Sequence, residues 1–123
     1  MMASKSNILL VEDEDGVRKL VRKLLERQGY EVYEARNGEE ALEMLDQIPR
    51  IDLLLTDMIM PRMGGRALAE KMEQLKPELK ILFISGYTEN TLLQEELIEK
   101  KHAFLQKPFS ADALIKRVRH LLD

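Results

Sequence analysis

The run Asp52-Leu53-Leu54-Leu55-Thr56-Asp57 constrains this chain more than any other stretch. Its leucines show none of the apolar/polar alternation of a strand with one wet face, so both faces must be covered, as in a parallel sheet flanked by helices. A buried strand of this kind delivers its last carboxylate, Asp57, to one edge of the sheet. Asp52 stands at the other end. At about 3.3 Å per residue the two acids lie roughly 17 Å apart and cannot share a site.

The same kind of run recurs along the chain. Asn7-Ile8-Leu9-Leu10-Val11 is continuous and apolar and ends at once in Glu12-Asp13-Glu14-Asp15. Val17, Leu20, Val21, Leu24 and Leu25 then follow helical spacing, with Gly29 as the stop. Residues 30–35 read as a second strand, and Asn37-Gly38-Glu39-Glu40 as the cap and acidic first turn of a helix carrying Ala41, Leu42, Leu45 and Ile48, closed by Pro49. After Asp57 a loop leads to a helix with a stripe of Leu68, Ala69, Met72 and Leu75. Lys80-Ile81-Leu82-Phe83-Ile84 is the fourth strand, ending at Ser85-Gly86. A helix over residues 89–100 has a weaker stripe of Leu92, Leu93 and Leu97. The strand 103–106 is broken by Lys107-Pro108, and Ser110 caps a last helix with Leu114, Val118 and Leu121 inward.

Five strands alternating with five helices predict an α/β, doubly wound parallel sheet with right-handed crossovers and helices on both faces, a flavodoxin-like three-layer sandwich. Its C-terminal edge collects the chemistry: Glu12 and Asp13 follow the first strand, Asp57 ends the third, Ser85 the fourth, and Lys107 follows the fifth. In the order 2-1-3-4-5 the first and third strands are neighbours across the switch point, which sets Asp13 beside Asp57.

A chain of 123 residues suits one domain, 1–123, with residues 1–6 expected to be a tail, disordered or added by cloning. The absence of cysteine excludes disulfides, thiolate metal sites and thiol nucleophiles. No apolar run reaches membrane-spanning length and residues 1–7 lack the apolar core of a signal peptide, so a cytoplasmic domain without membrane contact is expected. A net charge of −3 with both signs interspersed argues against direct nucleic-acid binding.

Three carboxylates crowded into one crevice repel one another unless a cation neutralises them, and all-oxygen ligation suits Mg²⁺. Lys107 adds a positive charge and Ser85 a hydroxyl. Together they suit a tetrahedral dianion held against Asp57, that is, phosphoryl transfer to a carboxylate.

On Val11-Glu12-Asp13-Glu14, Asp57-Met58-Ile59-Met60-Pro61-Arg62-Met63-Gly64-Gly65, Ser85-Gly86 and Lys107-Pro108-Phe109, the whole chain resembles a receiver domain of two-component response regulators. The wording Ser85-Gly86-Tyr87-Thr88 and the helix patterning look most like receivers attached to hybrid sensor histidine kinases. That resemblance carries the 2-1-3-4-5 order with it. It implies that Asp57 accepts phosphate from the phosphohistidine of a sensor histidine kinase or a histidine phosphotransfer protein. It further implies that Asp13, Asp57 and the Ile59 backbone carbonyl ligate Mg²⁺, with Glu12 acting through water. Lys107 pairs with the phosphoryl group and precedes a cis peptide bond to Pro108, while Ser85 and Phe104 occupy the switch positions. Signalling is then expected through the face formed by the fourth helix, fifth strand and fifth helix.

Two departures from the family pattern stand out: Gly64 stands where an acid is common, and Ile59 and Tyr87 occupy the places that steer water in fast-hydrolysing members. Slow autodephosphorylation follows. Readings from other classes are a Mg²⁺-dependent phosphatase or phosphotransferase with an aspartyl nucleophile, and a docking module independent of phosphate. The enzyme needs a second acid two residues after Asp57, where Ile59 stands. Glu14 and Asp15 read as helix-start charges, Met58, Met60 and Met63 as packing, and His102 and His120 as solvated or partner-facing.

Overall fold

The protein, described here from a computed structural model covering residues 6–60, 62–86 and 102–123, builds its sheet from five parallel strands. These are β1 (Asn7–Val11), β2 (Glu31–Ala35), β3 (Leu53–Asp57), β4 (Lys80–Ser85) and β5 (Ala103–Gln106), hydrogen-bonded in the order β2-β1-β3-β4-β5. Among the described residues the helices are α1 (Asp15–Arg27), α2 (Gly38–Met44) with a 3-10 turn at Leu45–Gln47, α3 (Gly65–Leu75) and α4 (Ala111–Leu122). α4 is the last helix of the sequence reading. The helix expected over residues 89–100, with Leu92, Leu93 and Leu97, and Tyr87 lie outside the described residues, as does Pro61.

Period-two geometry sends successive strand residues to opposite faces, and each strand interior therefore feeds two cores. Ile8, Leu10, Leu53, Leu55, Leu82 and Ile84 pack with Val21 and Leu25 of α1 and Leu114 and Val118 of α4. Leu9, Val11, Leu54, Ile81 and Phe83 pack on the other face with Ala41 of α2 and Leu68, Ala69 and Met72 of α3. Every residue of β3 is buried, as its unbroken apolar run requires.

The helix ends follow local chemistry. The Asn37 side chain accepts the Glu40 amide at 2.8 Å, and the Ser110 hydroxyl accepts the Ala113 amide at 3.0 Å. Past α1 the chain turns at Gly29 with φ 94, a left-handed conformation that a side chain resists.

Two helix stripes differ from expectation. Leu20, placed in the buried stripe of α1, is 59% exposed, and Leu75, placed in that of α3, is 65% exposed. The inward face of α1 is Arg18, Val21 and Leu25, at spacings of three and four. Apolar periodicity centres the stripe one residue away from this face because it cannot anticipate a buried arginine. Leu75 is the last residue of α3, one turn past Met72, the last buried residue of that helix. His102 also differs: it is partly buried, with Nε2 3.0 Å from Glu73 Oε2 and its ring against Phe83.

Candidate functional site

Parallel pairing in register sets the ends of β1, β3, β4 and β5 along one edge. Val11 pairs with Thr56, Asp57 with Ile84, and Ser85 with Gln106. The residues that follow these strands, or end them, are Glu12, Asp13, Asp57, Ser85 and Lys107, and the edge brings them together. One carboxylate oxygen each from Glu12, Asp13 and Asp57 lies within 4.8 Å of the other two. Glu12 and Asp57 are buried, whereas Asp13 is exposed at the mouth.

Lys107 enters from the opposite side. Its amide donates to the Ser85 carbonyl at 2.7 Å, which ties the end of β5 to the end of β4, and its peptide bond to Pro108 is cis. The ammonium lies 3.1 Å from Asp57 Oδ1 and 3.4 Å from Glu12 Oε1. The first contact is close enough for charge pairing but is not aligned for a hydrogen bond, so Asp57 Oδ1 remains without one. Ser85 Oγ is likewise buried without a partner.

Buried polar atoms in this condition are uncommon, and these two stand at the C-terminal ends of the adjacent strands β3 and β4. Burial, followed by the neighbouring Glu12 carboxylate, pushes the Asp57 carboxyl up to about 8 against the opposing pull of Lys107. Burial also acts to raise Glu12, yet bonds with Asp57 and the Glu14 amide, together with the Lys107 charge, outweigh it and hold Glu12 below the ordinary carboxylate value. The Glu14 amide donates to Glu12 Oε2 at 3.0 Å. Asp13 is raised by burial and by Glu12 beside it. For Lys107 burial works to lower the value, but Asp57 and Glu12 prevail and raise it.

A group of three carboxylates, with one oxygen buried and unbonded and the Asp57 carboxyl pushed up by its surroundings, fits a hard divalent cation that would favour the ionised form. Ile59 lies two residues past Asp57 with a side chain 70% exposed, so the loop presents an apolar group at the mouth. Phe104 pairs with Phe83 across β4 and β5 and packs half-buried against the core, its carbonyl accepting Arg117 Nη1 at 2.7 Å.

Three residues that shape the site escape a reading of the sequence. Arg18 is buried and donates to the Glu12 carbonyl at 2.9 Å. Thr56 is buried beside Asp57 and donates Oγ1 to the Asp57 carbonyl at 3.0 Å. Gly65 starts α3 so close to Asp57 that an added Cβ would fall 2.0 Å from the Asp57 carbonyl oxygen. Only the glycine carried a signal, because it stands at the expected start of a helix beside the motif loop.

The response regulator receiver domain family matches residues 8–119. The sensor kinase CckA of Brucella abortus (strain 2308) is 36% identical over 123 residues, covering 99% of this chain and 13% of that protein. The response regulator receiver protein CpdR of the same strain is 37% identical over 115 residues, covering 94% of this chain and 95% of the relative. This chain thus spans a small part of one such relative and nearly all of another. Among solved structures, the receiver domain of the hybrid histidine kinase CckA superposes with a TM-score of 0.79 at 36% identity, covering 96% of this chain and 100% of that one. The Vibrio cholerae chemotaxis protein CheY4 gives 0.85 at 26% identity, covering 97% and 100%.

Proposed function

We propose, from the premise that the chain belongs to the response regulator receiver domain family, that it acts as one domain, residues 1–123, whose Asp57 accepts a phosphoryl group from a phosphohistidine. The observation that carries this reading is Asp57 itself: a buried carboxylate ending the central strand, with an oxygen free of hydrogen bonds and an ammonium 3.1 Å away. An Asp57 oxygen attacks phosphorus, the phosphorus–nitrogen bond breaks, and the electron pair returns to the imidazole nitrogen, which takes up a proton. The product is an acyl phosphate.

Lys107 balances charge on the transferred oxygens, and the unpartnered Ser85 hydroxyl is available to donate to one of them. Asp13, Asp57 and the Ile59 carbonyl would hold Mg²⁺, with Glu12 acting through water, a reading supported by the clustered carboxylates of Glu12, Asp13 and Asp57. Bound there, the ion supplies the positive charge that phosphoryl transfer requires.

The donor is a protein, a sensor histidine kinase or a histidine phosphotransfer protein. Beside Lys107 an apolar groove of about 720 Å³ is lined by Val17, Leu20, Leu24, Pro108 and Phe109, which suits a macromolecular donor more than a small anion. Ser85 moving toward the phosphoryl group and Phe104 moving inward would carry the state to the face that holds β5, α4 and the helix expected over residues 89–100. An aspartyl phosphatase is disfavoured by the exposed, apolar Ile59 where its acid would stand. No helix among the described residues is long and apolar enough to cross a membrane.

Intact mass spectrometry after incubation with a small acyl-phosphate donor and Mg²⁺ tests the site: one phosphoryl group is expected on wild type and none on Asp57→Asn. Equal labelling of the two proteins, or labelling indifferent to chelator, overturns the assignment.

A further inference from the structure

The turn between β1 and α1 carries Glu12 and Asp13, and its backbone is held at three points. The Glu12 amide donates to the Ala35 carbonyl of β2 at 3.1 Å, and the Arg18 amide to the Glu14 carbonyl at 2.9 Å. Between these, the carbonyl of Glu12 accepts Arg18 Nη1 at 2.9 Å in a buried contact. The same guanidinium donates Nη2 to Asp15 at 2.6 Å and Nε to Glu34 of β2 at 3.2 Å.

Few groups other than a guanidinium can do this. Its planar fork offers donors in fixed directions, and here they reach the turn, the first turn of α1 and the edge strand at once. An arginine only 8% exposed also carries a desolvation penalty that a purely structural contact on a surface helix has no reason to bear. Arg22, one turn later, pairs with Glu34 and Glu26 from a half-exposed position and does not touch Glu12, so α1 is already fastened to β2 without Arg18.

We propose that Arg18 is a positioning residue for the cation site: by gripping the Glu12 carbonyl it fixes the peptide that joins the two acids, and so the directions in which Glu12 and Asp13 present their carboxylates to Asp57. This rests on the reading of Glu12, Asp13 and Asp57 as the Mg²⁺ site given above. Groups that orient metal ligands without touching the metal change affinity by about 10- to 100-fold when removed.

The test is Mg²⁺ titration of wild type, Arg18→Lys, Arg18→Gln and Arg22→Gln by calorimetry, with thermal midpoints recorded for each. Arg18→Lys keeps the charge but cannot span three acceptors. Both Arg18 variants are expected to raise the Mg²⁺ Kd at least about tenfold, and Arg22→Gln to leave it within about twofold. In phosphorylation assays the half-saturating Mg²⁺ concentration should rise in the Arg18 variants, with the rate recovering at saturating Mg²⁺, a split that simple loss of stability does not produce. An unchanged Kd in folded Arg18→Lys and Arg18→Gln overturns the inference, as does an equal loss in Arg22→Gln. Should the Arg18 variants not fold, Asp15→Asn combined with Glu34→Gln releases two anchors of the guanidinium, and an unchanged Kd there overturns it equally. If wild type itself binds no Mg²⁺, the site reading fails instead.

Discussion

Cation binding and one proton are expected to be tied together at Asp57. Without a cation the carboxyl is pushed up to about 8 by burial and by Glu12, so the protonated form is expected to dominate at pH 7. A cation that takes Asp57 as a ligand needs the carboxylate, and binding must expel that proton. Release is therefore expected to be largest at neutral pH and to decline as pH rises past about 8. Competition with the proton is expected to weaken apparent affinity at pH 7 by about tenfold relative to pH 9, close to 1.4 kcal/mol. Calorimetric titration with Mg²⁺ in two buffers of different ionisation enthalpy reads the released protons directly from the difference in apparent heat. A release near zero at pH 7, or one that fails to decline by pH 9, refutes the coupling, since either result means that Asp57 is already ionised or is not a ligand.

The same proton sets a stability trend in cation-free protein: the folded state keeps it up to about 8, the unfolded carboxyl loses it near 3.8, and stability therefore falls as pH rises between these values. Denaturation with chelator present should show Asp57→Asn gaining on wild type from pH 5 to pH 8, by at most about 1.4 kcal/mol per pH unit; a constant difference contradicts it. Gly65→Ala drives a Cβ against the Asp57 carbonyl at 2.0 Å, where only backbone can yield, and is expected to cost about 1–3 kcal/mol and slow phosphorylation. Gly16→Ala, with nothing within 4 Å in the first turn of α1, should stabilise by about 0.4–1 kcal/mol, leaving phosphorylation unchanged, and thermal unfolding of both glycine variants against wild type checks the two signs. Ile59→Asn places an amide able to hold water at a position 70% exposed beside Asp57, and the phosphorylated form should decay about tenfold faster or more after donor removal; equal decay shows that water positioning does not limit hydrolysis.

Strand identity was legible because burial on both faces leaves no freedom in composition: the apolar runs at β1, β3 and β4 could not have been wet. From the alternation of elements, the C-terminal edge and its residues Glu12, Asp13, Asp57, Ser85 and Lys107 followed without coordinates, since every strand of a parallel sheet ends on the same side. The caps at Asn37 and Ser110 were equally local, each a side chain answering an amide three residues away. The placement of Arg18 was not local. An arginine within a helix reads as solvent-facing, and here it is turned inward, displacing Leu20 outward, by acceptors on β2 and on the β1–α1 turn, which are brought to it only by the folded sheet. His102 went the same way, claimed by Glu73 of α3, far away in sequence. The upward shift of the Asp57 carboxyl belongs wholly to the tertiary structure, because its cause is burial plus a carboxylate from the β1–α1 turn. Sequence determines which groups arrive at the edge; how close they stand, and how much water is left between them, is decided by packing, and those two quantities set the charge state on which the chemistry depends.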